Sequence, residues 1–177
     1  MFALTPLNSD TIYALTSAED AEAAATLVPR LASLGIEAIF ASAEPQAQAT
    51  VAPFAAQAGL PVTTLPDLRD HRLSLQGNAP DDPYIALRFT QRGKARPGAE
   101  TFNAAQARLK TAVRAISRRP VVAPLMVLAP GLLAALISGR DKTFGYDAFR
   151  AMAAPGLWQI THRKGMPVKI VPLEDTP

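Results

Sequence analysis

Val121-Val122-Ala123-Pro124-Leu125-Met126-Val127-Leu128-Ala129-Pro130-Gly131-Leu132-Leu133-Ala134-Ala135-Leu136-Ile137 is the longest uncharged apolar run in the chain, and its reading decides the fold. Its first part, 121–128, is short, continuously apolar and partly β-branched, as a strand buried on both faces requires. Pro130-Gly131 breaks the run. Leu132 to Ile137 is rich in helix formers and closes at Ser138-Gly139, a composition that ends helices. Roughly 18 apolar residues reach the lower limit for a membrane span. Pro124 and the Pro-Gly pair favour strand–turn–helix instead. The run therefore predicts a central strand–helix unit of a layered α/β domain.

Composition bounds the rest. A chain of 177 residues, 49% of them hydrophobic, predicts one domain over 1–177 with a sizeable core. It has no cysteine, which excludes disulfides, thiolate catalysis and thiolate metal sites. Two histidines, His71 and His162, leave little for a histidine metal centre, so neither a metal nor another cofactor is expected. Met1 to Pro6 lacks a basic segment followed by a long apolar one, so the expectation is a cytoplasmic protein with no membrane partner. A net charge of +3 permits a polyanion partner without implying one.

Strand and helix patterns alternate along the chain. Thr11 to Thr16 reads as a strand, and Ser17 as the N-cap of a helix with Glu19 and Asp20 in its first turn. That helix carries Ala24, Leu27, Val28, Leu31 and Leu34 on one face, is kinked by Pro29 and stops at Gly35. Ile36–Ala41 is a second strand. Pro45 opens a helix with Ala47, Val51, Phe54, Ala55 and Ala58 inward, ending at Gly59. Leu60–Leu65 gives a third strand. Residues 73 to 98, with Gly77, Asn78, Pro80 and Pro83, read as a surface excursion holding one short helix at Tyr84–Thr90. A long helix over 99–117 buries Phe102, Ala105, Leu109, Val113 and Ile116, with Lys110, Arg114 and Arg118 outward at a spacing of four. A short helix over 144–152 precedes strands 158–163 and 167–171 around Lys164-Gly165, a closing antiparallel hairpin. The pattern predicts a three-layer α/β/α fold, its sheet mainly parallel, with helices on both faces and an antiparallel edge hairpin.

Several segments also carry a resemblance. Ile36 to Ser42, Gln46 to Pro53 and Ala58 to Val62 resemble the second strand–helix unit of the histidine phosphatase superfamily, the phosphoglycerate mutase-like proteins. Leu68-Arg69-Asp70 is similar to the stretch after it. Pro97-Gly98-Ala99-Glu100 with Gln106-Ala107-Arg108 resembles the family's Pro-Gly-Gly-Glu-Ser segment and the helix it opens. Met126 to Ile137 resembles the second catalytic strand–helix unit, and Asp147 to Arg150 with Gly156 the C-terminal end. The likeness runs from about Thr11 to Val171.

The resemblance implies a site at the strand tips. In the family a histidine attacks phosphorus, two arginines and a second histidine hold the phosphoryl oxygens, and an acid protonates the leaving group. The family's Arg-His-Gly falls here on Thr16-Ser17-Ala18, its second arginine on Gln46, its second histidine on Ala129 and its acid on Asp70. Four phosphate-handling side chains are thus replaced, Pro130 removes a backbone N–H from the turn, and Asp20 adds negative charge. The expectation is a catalytically degenerate member with a non-catalytic binding or regulatory role. Thr16, Ser17, Gln46, Asp70 and His71 are its ligand-binding candidates, for an unidentified small molecule or protein.

An alternative is a hydrolase or phosphatase with a rewired site, using Asp70 with His71 or Ser17. A third reading, a weak polyanion or nucleic-acid binder using Arg88 to Arg96 and the 110–118 stripe, is disfavoured. Arg69, Arg72, Arg88, Arg92, Lys94 and Arg96 are expected as a solvated basic loop, His162 far from the strand tips, and a homodimer is left open.

Overall fold

A computed structural model describes residues 9–18, 20–74 and 82–174, so Glu19, Gly77, Asn78 and Pro80 lie outside the described residues. The strands are β1 (Thr11–Thr16), β2 (Ala38–Ala41), β3 (Val62–Thr64), β4 (Pro124–Leu128), β5 (Leu157–Arg163) and β6 (Met166–Pro172). The helices are α1 (Ala21–Thr26), α2 (Val28–Ser33), α3 (Pro45–Ala58), α4 (Tyr84–Thr90), α5 (Phe102–Ser117), α6 (Pro130–Arg140) and α7 (Tyr146–Arg150), with a 3-10 turn at Pro66–Leu68. One sheet runs in the order β3-β2-β4-β1-β5-β6. Its first four members are parallel, while β5 pairs antiparallel with β1 and β6 with β5.

The expected mainly parallel sheet with helices on both faces and an antiparallel edge hairpin is what the chain forms. Every residue of β4 is buried, because this strand has neighbours on both edges and helices over both faces. Met126 and Leu128 point into one core with α5 and α6. Leu125 and Val127 point into the other with α1, α2 and α3. The period-2 alternation of a strand thus supplies both layers from one continuous apolar run.

Element ends depart from expectation for local reasons. Ser17 is not a cap: the first helix begins four residues later, where Asp20 accepts the N–H of Glu22 at 2.8 Å. The kink expected at Pro29 divides the helix at Leu27, which keeps right-handed helical dihedrals, and puts Pro29 in the first turn of α2. Gly59 ends α3 in the left-handed conformation, with Ala58 exposed instead of inward. At Lys164-Gly165 both residues have positive φ, 50° and 80°, the geometry of a tight two-residue hairpin turn.

The 73–98 excursion is more than surface. Leu73, Ile85 and Arg88 are buried, and Phe89 packs edge-on against Phe102 and beside Tyr146 and Phe149. Its arginines are not a solvated loop. Arg88, 1% exposed, donates to the carbonyls of Arg72 and Glu100, and Arg92 donates to the Ala135 carbonyl at 2.9 Å and to Ser138. Arg96 pairs with Asp82. Guanidinium groups thus reach main-chain oxygens that no apolar side chain could satisfy, while Arg69, Arg72 and Lys94 are exposed as expected.

Arg108 on α5 does the same for the loop that leads to Asp70. It donates to the carbonyls of Asp67 and Arg69, each at 2.7 Å, and holds Glu100 through Nε at 3.0 Å and Nη2 at 2.8 Å. Burial pushes the Glu100 carboxyl up, but the Arg108 hydrogen bonds and charge, with Arg69 and His71, outweigh it and hold it below its ordinary 4.5.

Two outcomes are expected. Val127→Asp places an unpaired carboxylate where the side chain is 0% exposed, so it should cost about 4 kcal/mol or more and leave no cooperative unfolding transition by circular dichroism. For Glu100 the folded value is the lowered one, so its contribution is complete above about pH 4.5 and is lost as pH falls through that folded value. Melting temperature should therefore drop more steeply below pH 4.5 in the wild type than in Glu100→Gln, and parallel curves would refute the coupling.

Candidate functional site

β1 and β4 lie side by side, yet the chain leaves them in opposite directions. The chain after β1 passes to α1 in the second core, while β4 continues into α6 in the first. Such a divergence opens a crevice beyond the carboxyl ends of the strands. A cleft of about 440 Å³ lies there, bordered by Ser17, Ala18 and Asp20 after β1, Gln46 in the first turn of α3, Asp70, and Ala129-Pro130 at the start of α6. Ala154, from the loop before β5, closes another side.

The turn after β1 is held from both neighbours. Ser17 N–H donates to the Leu128 carbonyl at 2.9 Å, and Ala18 N–H to Thr50 Oγ1 at 3.0 Å. Thr50, 2% exposed on α3, also donates to the Gln46 carbonyl at 2.7 Å, and so ties the β1 turn to the first turn of α3. Ser17 is 8% exposed and faces the cleft, whereas Gln46 is exposed.

Thr16, expected among the ligand-binding residues, does not border the cleft. It is 0% exposed, and its Oγ1 accepts the Gly156 N–H at 2.7 Å and lies 3.2 Å from the Ala153 and Gly156 carbonyls. Its hydroxyl is spent on anchoring the 153–156 loop. A side chain at Gly156 would crowd the Ala153 carbonyl at 2.6 Å and Thr16 Oγ1 at 3.3 Å, which is why glycine stands there.

Asp70 and His71 form a unit at the cleft's edge. Asp70 Oδ1 accepts the His71 main-chain N–H at 2.8 Å and lies 2.9 Å from His71 Nδ1, and the Asp70 N–H donates to Glu44 Oε1 at 2.7 Å. His71 is buried. It is 4% exposed, packs edge-on against Phe102 at 5.3 Å between ring centroids, and lies against Gly131 so tightly that a Cβ there would stand 2.4 Å from its Cε1. The Asp70 side chain keeps 30% exposure and is the part of the unit that borders the cleft.

His162 is at the other end of the sheet, where its N–H donates to the Asp10 carbonyl and its Nδ1 accepts the Gly165 N–H at 3.2 Å. Sequence reasoning gave no role to Thr50, Glu44 or Gly131. The first two act through partners 32 and 26 residues away, a pairing with no local pattern. Gly131 was legible only as a turn residue. Among the described residues no group of three or more His, Asp or Glu is placed to hold a metal, and no helix is long and apolar enough to cross a membrane.

The cleft carries Asp20 and Asp70, with Glu44 hydrogen-bonded behind Asp70. The side chains of Ser17 and Gln46 carry its donors, since the N–H groups of Ser17, Ala18 and Asp70 are bonded to Leu128, Thr50 and Glu44. Such a lining suits a ligand that is neutral or cationic better than a dianion, which would be desolvated between carboxylates.

The fold has close structural relatives. Bacillus stearothermophilus YhfR superposes with a TM-score of 0.71 at 19% identity, covering 89% of this chain and 94% of that one. A mycobacterial glucosyl-3-phosphoglycerate phosphatase complexed with VO3 gives 0.67 at 19%, over 85% and 92%. The alpha-ribazole phosphatase from Shigella flexneri gives 0.66 at 15%, over 89% and 93%. Among curated proteins no sequence matches this chain. The family model of the histidine phosphatase superfamily (branch 1) matches residues 14–154. With the sheet order, the diverging β1 and β4 connections and a cleft at their tips, that match makes this chain a member of the histidine phosphatase superfamily.

Proposed function

We infer that this protein is a catalytically degenerate histidine phosphatase, whose cleft binds a small molecule or a protein segment without phosphoryl transfer. One observation carries the reading. Among the described residues bordering the cleft there is no arginine, lysine or histidine, while two are aspartates. Phosphoryl transfer in this family needs a histidine nucleophile and positive groups to meet the charge that builds on the phosphoryl oxygens. Ser17, Gln46 and Ala129 stand where the resemblance puts those groups, and Thr16 is buried with its hydroxyl bonded to the 153–156 loop.

Magnitude supports the same conclusion. Loss of one preorganised donor commonly costs ~10²–10³ in rate. A general acid such as Asp70 contributes ~10²–10⁴ and only alongside a nucleophile. Nor does the excursion return the lost charge, because Arg88 and Arg92 are committed to main-chain carbonyls.

A second reading rests on the 2.9 Å contact between Asp70 and His71. A carboxylate that orients an imidazole is half of a hydrolytic relay, and Ser17 is a hydroxyl on the same cleft. Against it, the His71 ring is buried against Phe102 and Gly131 and does not border the cleft.

Steady-state hydrolysis of p-nitrophenyl phosphate and p-nitrophenyl acetate, each by wild type, Asp70→Ala and Ser17→Ala, separates the readings. The expected result is phosphatase turnover at background in all three proteins and no acid-labile phosphoprotein after rapid quench. Turnover in the wild type that disappears in Asp70→Ala or Ser17→Ala would establish a rewired hydrolase and overturn degeneracy.

A second outcome concerns the wall of the cleft. Gly131→Ala must displace the His71 ring, so it should lower the melting temperature by several degrees, about 1–3 kcal/mol of overpacking. An unchanged melting temperature would mean that the ring is not held where the packing puts it.

A further inference from the structure

The chain's charge is small in sum and unevenly spread. Residues 101–173 contain eleven Lys and Arg against two acids, Asp141 and Asp147, whereas residues 1–100 contain seven Lys and Arg against eleven acids. From Thr101 to Arg140 there is no Asp or Glu at all. The cleft, with Asp20 and Asp70, belongs to the acidic half.

The fold gathers part of the basic half on one surface. Lys110, Arg114 and Arg118 follow one another at a spacing of four along α5, opposite the side that buries Leu109, Val113 and Ile116. The β5–β6 turn is docked against this stripe. A Cβ on Gly165 would stand 2.6 Å from Ser117 Oγ and 3.0 Å from the Arg114 Cα, and Arg114 Nη2 lies 3.2 Å from Met166 Sδ. Lys164 is thereby set beside Arg118, with which it lines a shared hollow. Further along β6, Arg140 from the end of α6 donates to the Val168 carbonyl at 3.2 Å. Among the described residues none of these five cations is in a salt bridge, and four of them are exposed, Lys110 being half-buried. Asp10 and Asp141 border the face at its two ends.

We propose that this α5–hairpin face is a docking surface for a nucleic-acid phosphodiester backbone, used without sequence readout. Successive cations on α5 are about 6 Å apart along the helix. A duplex carries one charge per ~3.4 Å of axis on each strand and can meet that stripe in several registers. Among the described residues the face has no aromatic platform on which unstacked bases could lie: Phe102 of α5 and Trp158 of β5 are both buried. Duplex backbone is therefore favoured over single strands. An anionic membrane is the weaker fit, since among the described residues the apolar ones exposed here are Met166, held by the Arg114 guanidinium, and Val168, with no large aromatic or leucine to insert. This surface is separate from the cleft, so its fate does not depend on whether the cleft is catalytic.

Fluorescence anisotropy with a labelled 20-base-pair DNA duplex, its RNA counterpart and the single strands tests the proposal. Binding to either duplex at 50 mM salt, with a slope of log K against log salt of about −4 and a ~10²-fold loss by 200 mM, is expected. The triple variant Lys110→Glu, Arg114→Glu, Arg118→Glu should remove it. The triple variant Arg69→Glu, Arg72→Glu, Lys94→Glu has the same change in net charge at exposed sites elsewhere and should retain most of it. If the first variant does not melt cooperatively, Arg114→Gln with Arg118→Gln should still weaken binding about tenfold. No binding at 50 mM salt, equal losses in the two triple variants, or binding to phosphatidylserine vesicles with none to duplex would each overturn the proposal.

Discussion

β4 has to bury both of its faces at once, and the rest of the architecture answers that requirement. A five-residue strand with no polar side chain can lie only where helices cover both sides of the sheet and strands occupy both edges. Its helix, α6, is apolar almost all round, with Leu132 to Leu136 wholly buried, so it must be enclosed as well, here by α5, α7 and the hairpin side of the sheet. Two covered faces mean that connections from neighbouring strands diverge. The divergence beside β4 creates the crevice at the strand tips. The site is a consequence of the packing demand, and its position follows before any functional side chain is considered.

What fills that crevice is set by charge. Members of the family present a positive pocket to phosphate, whereas this chain borders its cleft with Ser17, Gln46, Asp20 and Asp70. Its many arginines are engaged in structure. Arg88 and Arg108 reach main-chain carbonyls in the segments at 67–72 and 100, and Arg92 reaches the Ala135 carbonyl within α6. Long excursions carry main-chain oxygens that no strand or helix satisfies, and a guanidinium with five donors can satisfy several of them at once. Some of the chain's arginines thus serve as scaffolding, while Arg114 and Arg118 of α5 are exposed.

The fit at the cleft's wall depends on small residues. Gly131 makes room for the His71 ring, Gly156 for the Thr16 hydroxyl, and the ring in turn holds the Asp70 carboxylate at 2.9 Å. The two glycine contacts join residues 60 and 140 positions apart in the chain. None adds a charge to the cleft, yet each fixes the backbone that shapes it.

The sequence by itself determined the elements, their order and the layered class. Apolar patterning marks a strand at Thr11–Thr16 and a continuous apolar run marks one over 121–128, of which Pro124–Leu128 forms it; Gly59 marks the end of α3, and Lys164-Gly165 marks the hairpin turn, all through interactions a few residues apart. The resemblance to the family also implied that Ser17, Gln46, Asp70 and Ala129 belong together, and all four border the cleft. Tertiary structure decided what the side chains do there. That Thr16 turns away to the 153–156 loop, that His71 is buried against Gly131 and Phe102, and that Arg88 lies inside the protein each depend on a partner distant in the chain. Local patterns fix which backbone hydrogen bonds form. Burial and the satisfaction of polar groups are settled only when distant segments meet.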